Sequence, residues 1–232
     1  MYKYCGKKVN EMKKSMTWVF ITVIAALYIA FITCDIFYME QSKILKFISV
    51  CILALGSTFS GKEKENKPVT LIFLFTVVAD IFFVLLNKPI YGIMVYIVIQ
   101  LVHTVRLAII SKKEIKTEIL KRVIPAVCLF CIGVFIGPVV ALALPYAVCI
   151  GINIVHAIEN NVKYPSRVNL SYAVAMLVLA VGDIGVGLRN IQTGFMTPEM
   201  KHVAYIVTWV TYIPSLVLVL TTTKALNFKE QR

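Results

Sequence analysis

Two aspartates sit where aspartate is costly. Asp80 falls in Val78-Ala-Asp-Ile-Phe82 and Asp183 in Val181-Gly-Asp-Ile-Gly-Val-Gly187, inside long apolar runs and without an obvious lysine or arginine partner. Ionisable groups in such runs turn toward a bundle interior and often mark function. If the two carboxyl groups meet, both cannot ionise readily, and an acid beside a carboxylate suits acid–base chemistry. The plainer alternative is two separate aspartates, each hydrogen-bonded to its own neighbours. Gly182, Gly185 and Gly187 thin the segment around Asp183 and let a neighbour or ligand approach.

A second polar set is a stripe. Tyr96, Gln100, His103 and Arg106 follow spacings of four, three and three, which keeps them on one helical face. That face lines either a water-filled cavity or a hydrogen-bonded seam from which Arg106 snorkels to the cytoplasm. Trp209 and Tyr212 lie in the last apolar run, and Asp35 and His156 complete the ionisable residues within runs. His156 and Glu159 share a face but have no third ligand, so no metal site is expected. Cys128-Leu-Phe-Cys131 has no second pair or nearby His and reads as packing. With Lys43 and Lys46 assigned to an outer loop, no span carries a lysine, which argues against a Schiff base. Zinc-protease, nucleophile-elbow and phosphate-loop motifs are absent.

The elements that must position these residues follow from composition. The 232 residues are 59% hydrophobic and 16% charged, with mean hydropathy +0.82. An ordinary soluble domain carries roughly 25% charged residues. Runs of about 17–25 apolar residues match the hydrocarbon thickness of a bilayer. They fall near Met16–Tyr38, Ile44–Phe59, Pro68–Leu86, Ile90–Ile110, Val123–Ile136, Val139–Ala157, Asn169–Leu188 and His202–Thr223, the second and fifth being short. The fifth and sixth meet at Gly137-Pro138, read as a turn because a single helix over both is too long for one crossing. The predicted fold class is an all-α membrane protein, a bundle of eight transmembrane helices spanning residues 16–223. Basic cytoplasmic tails at 1–15 and 224–232 flank it.

Lys and Arg concentrate at Lys3–Lys14, Lys62–Lys67, Lys112–Arg122, Lys163–Arg167 and Lys224–Arg232, while the opposite loops hold only Lys43, Lys46, Lys88, Arg189 and Lys201. The asymmetry puts both termini in the cytoplasm. The net charge of +12 is then a matter of anionic lipid headgroups rather than nucleic acid. Counting from the outer helix ends puts Asp80, Asp183, Tyr96, Gln100, Trp209 and Tyr212 in one layer of the outer half.

Ala79-Asp80, Gly92, Gln100-Leu-Val-His103, Gly182-Asp183 and Trp209-Val-Thr-Tyr212-Ile-Pro-Ser215 together resemble the lysoplasmalogenase (YhhN-like) family of polytopic membrane proteins. Ala79 stands where that family favours Gly, and Gln100 and His103 where it favours His and Tyr. The resemblance implies hydrolysis of the vinyl ether bond of a lysophospholipid substrate, with Asp80 and Asp183 catalytic and no metal or organic cofactor. Tyr96, Gln100, His103, Trp209 and Tyr212 then bind substrate. The expected setting is a multi-pass plasma membrane of bacterial type, with membrane lipids as surroundings. The alternatives are a small proton-coupled transporter and a non-catalytic lipid-binding protein.

Overall fold

Apolar runs of this length satisfy their backbone polar groups by coiling, and the chain does so throughout. The computed structural model describes residues 2–37, 39, 41–59, 66–190 and 197–223. Among them are eight α-helices and no strand: α1 Tyr2–Ile36, α2 Ser42–Thr58, α3 Lys67–Asp80, α4 Pro89–Ser111, α5 Ile115–Val134, α6 Pro138–Lys163, α7 Arg167–Asn190 and α8 Pro198–Thr221. Each coincides with one of the eight predicted runs to within a few residues at the apolar ends, except that α3 stops at Asp80, short of the predicted Leu86. Helix α1 reaches back to Tyr2, through the segment expected as a tail. Tyr38, Lys62, Lys64 and the segment 224–232 lie outside the described residues.

Among the described residues six helices are long and apolar enough to cross a membrane: α1 from Val19, α3 with its continuation to Leu85, α4, α6, α7 and α8. Helix α2 has only 17 residues, and α5 spends its first turns on Glu118, Lys121 and Arg122. These are the two runs whose apolar stretches are shortest in the sequence.

The ends follow from local chemistry. Proline opens α4 and α6 at Pro89 and Pro138, where its missing N–H costs nothing. Gly137 carries φ +152°, a conformation that side chains resist, and the chain reverses there. A Cβ at Gly133 would come 2.6 Å from the Ala141 Cα, so α5 and α6 touch backbone to backbone. The junction is a turn between two helices. Beyond Asp80, α3 widens into a π-helical turn, Ile81–Leu85, closed by Leu86 N–H donating to the Ile81 carbonyl at 2.9 Å. Such turns recur beside functional groups.

Helices α2, α3, α4, α6, α7 and α8 follow one another round a ring that closes where α8 meets α2. Helix α1 lies outside against α2 and α8, and α5 against α4 and α6. Phe31, Leu53, Phe73, Met176 and Ile213 fill the apolar interior. Ile29, Leu74, Phe135 and Val162 face outward, as on a surface solvated by lipid. Helices α7 and α8 pack tightly at Gly185, where a Cβ would stand 2.7 Å from the Ala204 carbonyl oxygen.

Candidate functional site

The ring places Asp80 at the end of α3, buried, where the widening into the π-helical turn begins. The Tyr212 hydroxyl of α8 donates to both of its oxygens, at 3.1 and 3.2 Å. Tyr96 of α4 donates in turn to Tyr212 at 2.6 Å. On the far side of the ring Asp183 of α7 is half-buried and accepts from the Tyr146 hydroxyl of α6 at 2.5 Å. Gln100 of α4 donates to the Tyr146 oxygen over a long 3.4 Å. The Tyr96 and Tyr146 rings meet edge to face at 6.0 Å. Three tyrosines from three helices therefore stand between the two aspartates, and Tyr96 lies within electrostatic reach of both carboxyl groups. Among the described residues neither carboxylate has a cationic partner.

Five of the seven residues expected at the site, Asp80, Asp183, Tyr96, Gln100 and Tyr212, thus belong to one set of tyrosine-linked groups. Trp209 adjoins it, edge-on to Tyr212 at 5.3 Å. His103 does not face the carboxylates: its Nδ1 shares a 2.5 Å hydrogen bond with Tyr172 of α7. Sequence reasoning missed Tyr146, although it lies eight residues inside α6, the depth that singled out the other members.

The stripe on α4 is buried at Gln100, His103 and Arg106. Arg106 donates to Thr222 Oγ1 at 2.5 Å and stacks on the Tyr172 ring at 4.4 Å. That is the hydrogen-bonded seam of the two alternatives, with Arg106 turned inward rather than snorkelling.

Two basic residues assigned to loops are inside the bundle. Lys46 is fully buried because α2 already begins at Ser42 and carries it on the same face as Ser49, Val50 and Leu53. Its Nζ donates to Asp35 Oδ1 and to the Tyr205 hydroxyl, both at 2.6 Å. It sits 4.2 Å and 4.5 Å from the Tyr205 and Trp209 ring centroids. Carboxylate, hydroxyl and ring faces replace its hydration. The expectation that Lys46 lies in an outer loop fails here, since helix α2 carries it into the bundle. Arg122 of α5 is likewise buried, donating to Glu118 Oε2 at 2.8 Å, Asn153 Oδ1 at 3.0 Å and His156 Nδ1 at 3.0 Å. A guanidinium only donates, so His156 Nδ1 accepts and its Nε2–H donates to Ser111 Oγ at 3.1 Å. Glu118 precedes the apolar part of α5. Burial there pushes its carboxyl up, but hydrogen bonds from Lys121 and Arg122 outweigh it and hold the group down at about 2.

Comparison with protein-family models, with curated proteins and with solved structures finds no match. The chemistry of the site follows from its own geometry.

That geometry includes a continuous polar chain from the site toward the opposite side. It runs from Asp183 through Tyr146, Gln100, Asn153 and Arg122 to Glu118. Two of its links are amides and one is a guanidinium, which stays protonated. Protons do not hop along such a chain as they do along hydroxyls, carboxyls and water. Among the described residues no cluster of three His, Cys, Asp or Glu side chains could hold a metal ion.

Proposed function

We propose that this chain is a membrane-embedded hydrolase of lipid vinyl ethers, akin to the lysoplasmalogenases that its motifs resemble. The observation that carries the reading is the pair of aspartates on opposite walls of the ring, linked through Tyr212, Tyr96 and Tyr146. One carboxylic acid transfers its proton to the β-carbon of the vinyl ether, forming an oxocarbenium ion. The second, ionised carboxylate stabilises that cation and takes a proton from the water that adds to it. The resulting hemiacetal breaks its ether C–O bond, releasing the glycerophospho alcohol and a fatty aldehyde. Vinyl ether and one water are consumed: in the collapse the second carboxyl passes the water proton to the departing ether oxygen and the hemiacetal hydroxyl gives its proton to the first, so both groups regain their starting states. The substrate is a lysophospholipid entering from the membrane.

The arrangement that accompanies this proposal is an eight-span bundle with both termini cytoplasmic, the site in the outer half and the basic Lys112–Arg122 stretch inside.

The test is aldehyde release by the purified protein from a lysophospholipid with a vinyl ether chain. Asp80→Asn and Asp183→Asn are each expected to lower the rate by about 10²–10⁴-fold, the usual worth of a positioned acid or base. A wild-type rate in either variant removes that residue from the mechanism. The second reading, a proton-coupled carrier, draws on the polar chain from Asp183 to Glu118. Its amide and guanidinium links weigh against it, and proton flux in proteoliposomes decides it.

A further inference from the structure

The two aspartates are held by hydrogen bonds of different kinds. Arg122 can only donate, so the atom of Asn153 that faces its Nε at 3.0 Å is the carbonyl oxygen, Oδ1. The backbone carbonyl of Gln100 can only accept, and Asn153 Nδ2 faces it at 2.9 Å, which fixes the same amide orientation independently. Asn153 Nδ2 then also donates to Gln100 Oε1 at 3.0 Å, so Gln100 turns its NH₂ toward the Tyr146 oxygen. With one lone pair of that oxygen engaged, the Tyr146 O–H points to Asp183. Every link in this series runs one way, and it starts from a group that does not deprotonate.

The series that ends on Asp80 contains only hydroxyls. Tyr212 and Tyr96 each donate or accept equally well, so the hydrogen bonds, drawn from Tyr96 through Tyr212 to Asp80, can reverse without stranding a donor: a protonated Asp80 donates to Tyr212, Tyr212 to Tyr96, and the half-buried Tyr96 to water or substrate. The other titratable group facing Asp80 is Cys51 of α2, and those near Asp183 beyond Tyr146 are Tyr96 and Tyr212.

We infer that Asp80 is the proton donor of the pair and Asp183 its standing carboxylate, a division imposed by the one-way relay Arg122–Asn153–Gln100–Tyr146. The inference rests on the hydrolase reading only for what the proton is used for. Gln100, Asn153 and Arg122 are positioning residues in this scheme, acting on Asp183 through Tyr146.

Infrared spectra of the full-length protein in detergent at neutral pH test the assignment without substrate. The wild type is expected to show a deuterium-sensitive carboxylic acid C=O band that Asp80→Asn loses and Asp183→Asn keeps. Asp35 and Glu118 are ion-paired and do not contribute to it. Gln100→Met removes the donor to Tyr146 and is expected to add a second acid band, absent from Gln100→Met combined with Asp183→Asn. If Gln100→Met loses its helical circular dichroism, Tyr146→Phe removes the final donor and must add the same band. A wild type without the acid band, its loss in Asp183→Asn, or no second band in the relay variant overturns the assignment. Expected spectra without any vinyl ether cleavage would remove the hydrolase and leave the proton assignment standing. Cleavage with the opposite spectra does the reverse.

Discussion

Tyr212 meets Asp80 almost symmetrically, its hydroxyl 3.1 Å from one carboxyl oxygen and 3.2 Å from the other, although the two residues are 132 positions apart. Helix α8 thus closes the ring onto the end of α3, and the closure carries chemistry as well as packing. Tyr212→Phe removes this hydroxyl alone. A hydrogen bond to a group that changes charge is worth about 1.5–3 kcal/mol, or roughly 10–150-fold. We expect a rate loss in that range for vinyl ether cleavage, smaller than the loss in Asp80→Asn. Equal losses in the two would give Tyr212 a share in proton transfer itself.

The seam on α4 makes a prediction about access. Cysteines at Gln100, His103 and Arg106 are expected to stay unreactive toward small polar thiol reagents. A cysteine at the half-buried Tyr96, which flanks the carboxylates, is expected to react. Rapid labelling at His103 would require a water path along α4 that its contact with Tyr172 closes.

The residues grouped around the two carboxyl groups were legible in the sequence to different degrees. Asp80, Asp183, Tyr96 and Tyr212 were legible because hydrocarbon makes polar side chains rare, and depth can be counted from a helix end. Direction around the helix axis was not. His103 and Tyr96 lie on one stripe, yet one turns to Tyr172 and the other to Tyr212, because different neighbours cover successive turns of α4. Lys46 and Arg122 were misplaced for a related reason. A lysine near a helix end reads as a loop charge unless its cage is known, and Tyr205 and Trp209 lie more than 150 residues away in sequence.

The Lys46–Asp35 pair should tolerate joint replacement better than single replacement. Asp35→Leu leaves a buried ammonium with only Tyr205, Ser42 and ring faces. Breaking a buried pair from one side costs about 3–5 kcal/mol. Thermal unfolding in detergent should show a large loss for Asp35→Leu or Lys46→Met and a substantial recovery in the double variant. Additive losses would mean that the pair is not coupled.

Glu118 gives a pH dependence with a definite sign. Its folded-state carboxyl is held at about 2, below the ordinary value of 4.5. Its contribution to stability is therefore complete above about 4.5 and is lost as pH falls through that window toward 2. Acid unfolding of Glu118→Gln should start from a lower plateau and show a shallower decline across this range. An unchanged acid limb would detach Glu118 from the stability of the cluster.

The α5–α6 hairpin should be sensitive at Gly133. Its hypothetical Cβ meets backbone atoms of Ala141 and Val140, which have no rotamer to yield. Overpacking of this kind costs about 1–3 kcal/mol. Gly133→Val is expected to lower the melting temperature markedly, while Gly151→Ala, where a Cβ meets nothing within 4 Å, leaves it unchanged.

The cage around Lys46 also bears on how the chain enters its membrane. Asp35 and Lys46 are eleven residues apart, on two helices joined by a short turn. During synthesis the two charges emerge almost together, and α1 and α2 can partition as a neutralised hairpin, sparing the roughly 2.5–3.5 kcal/mol that a lone lysine costs at mid-bilayer. Tyr205 and Trp209 are made later, with α8. Until that helix arrives, the hairpin holds its ion pair without the Tyr205 hydroxyl or the two rings. Helix α8, in closing the ring, also closes the cage around Lys46.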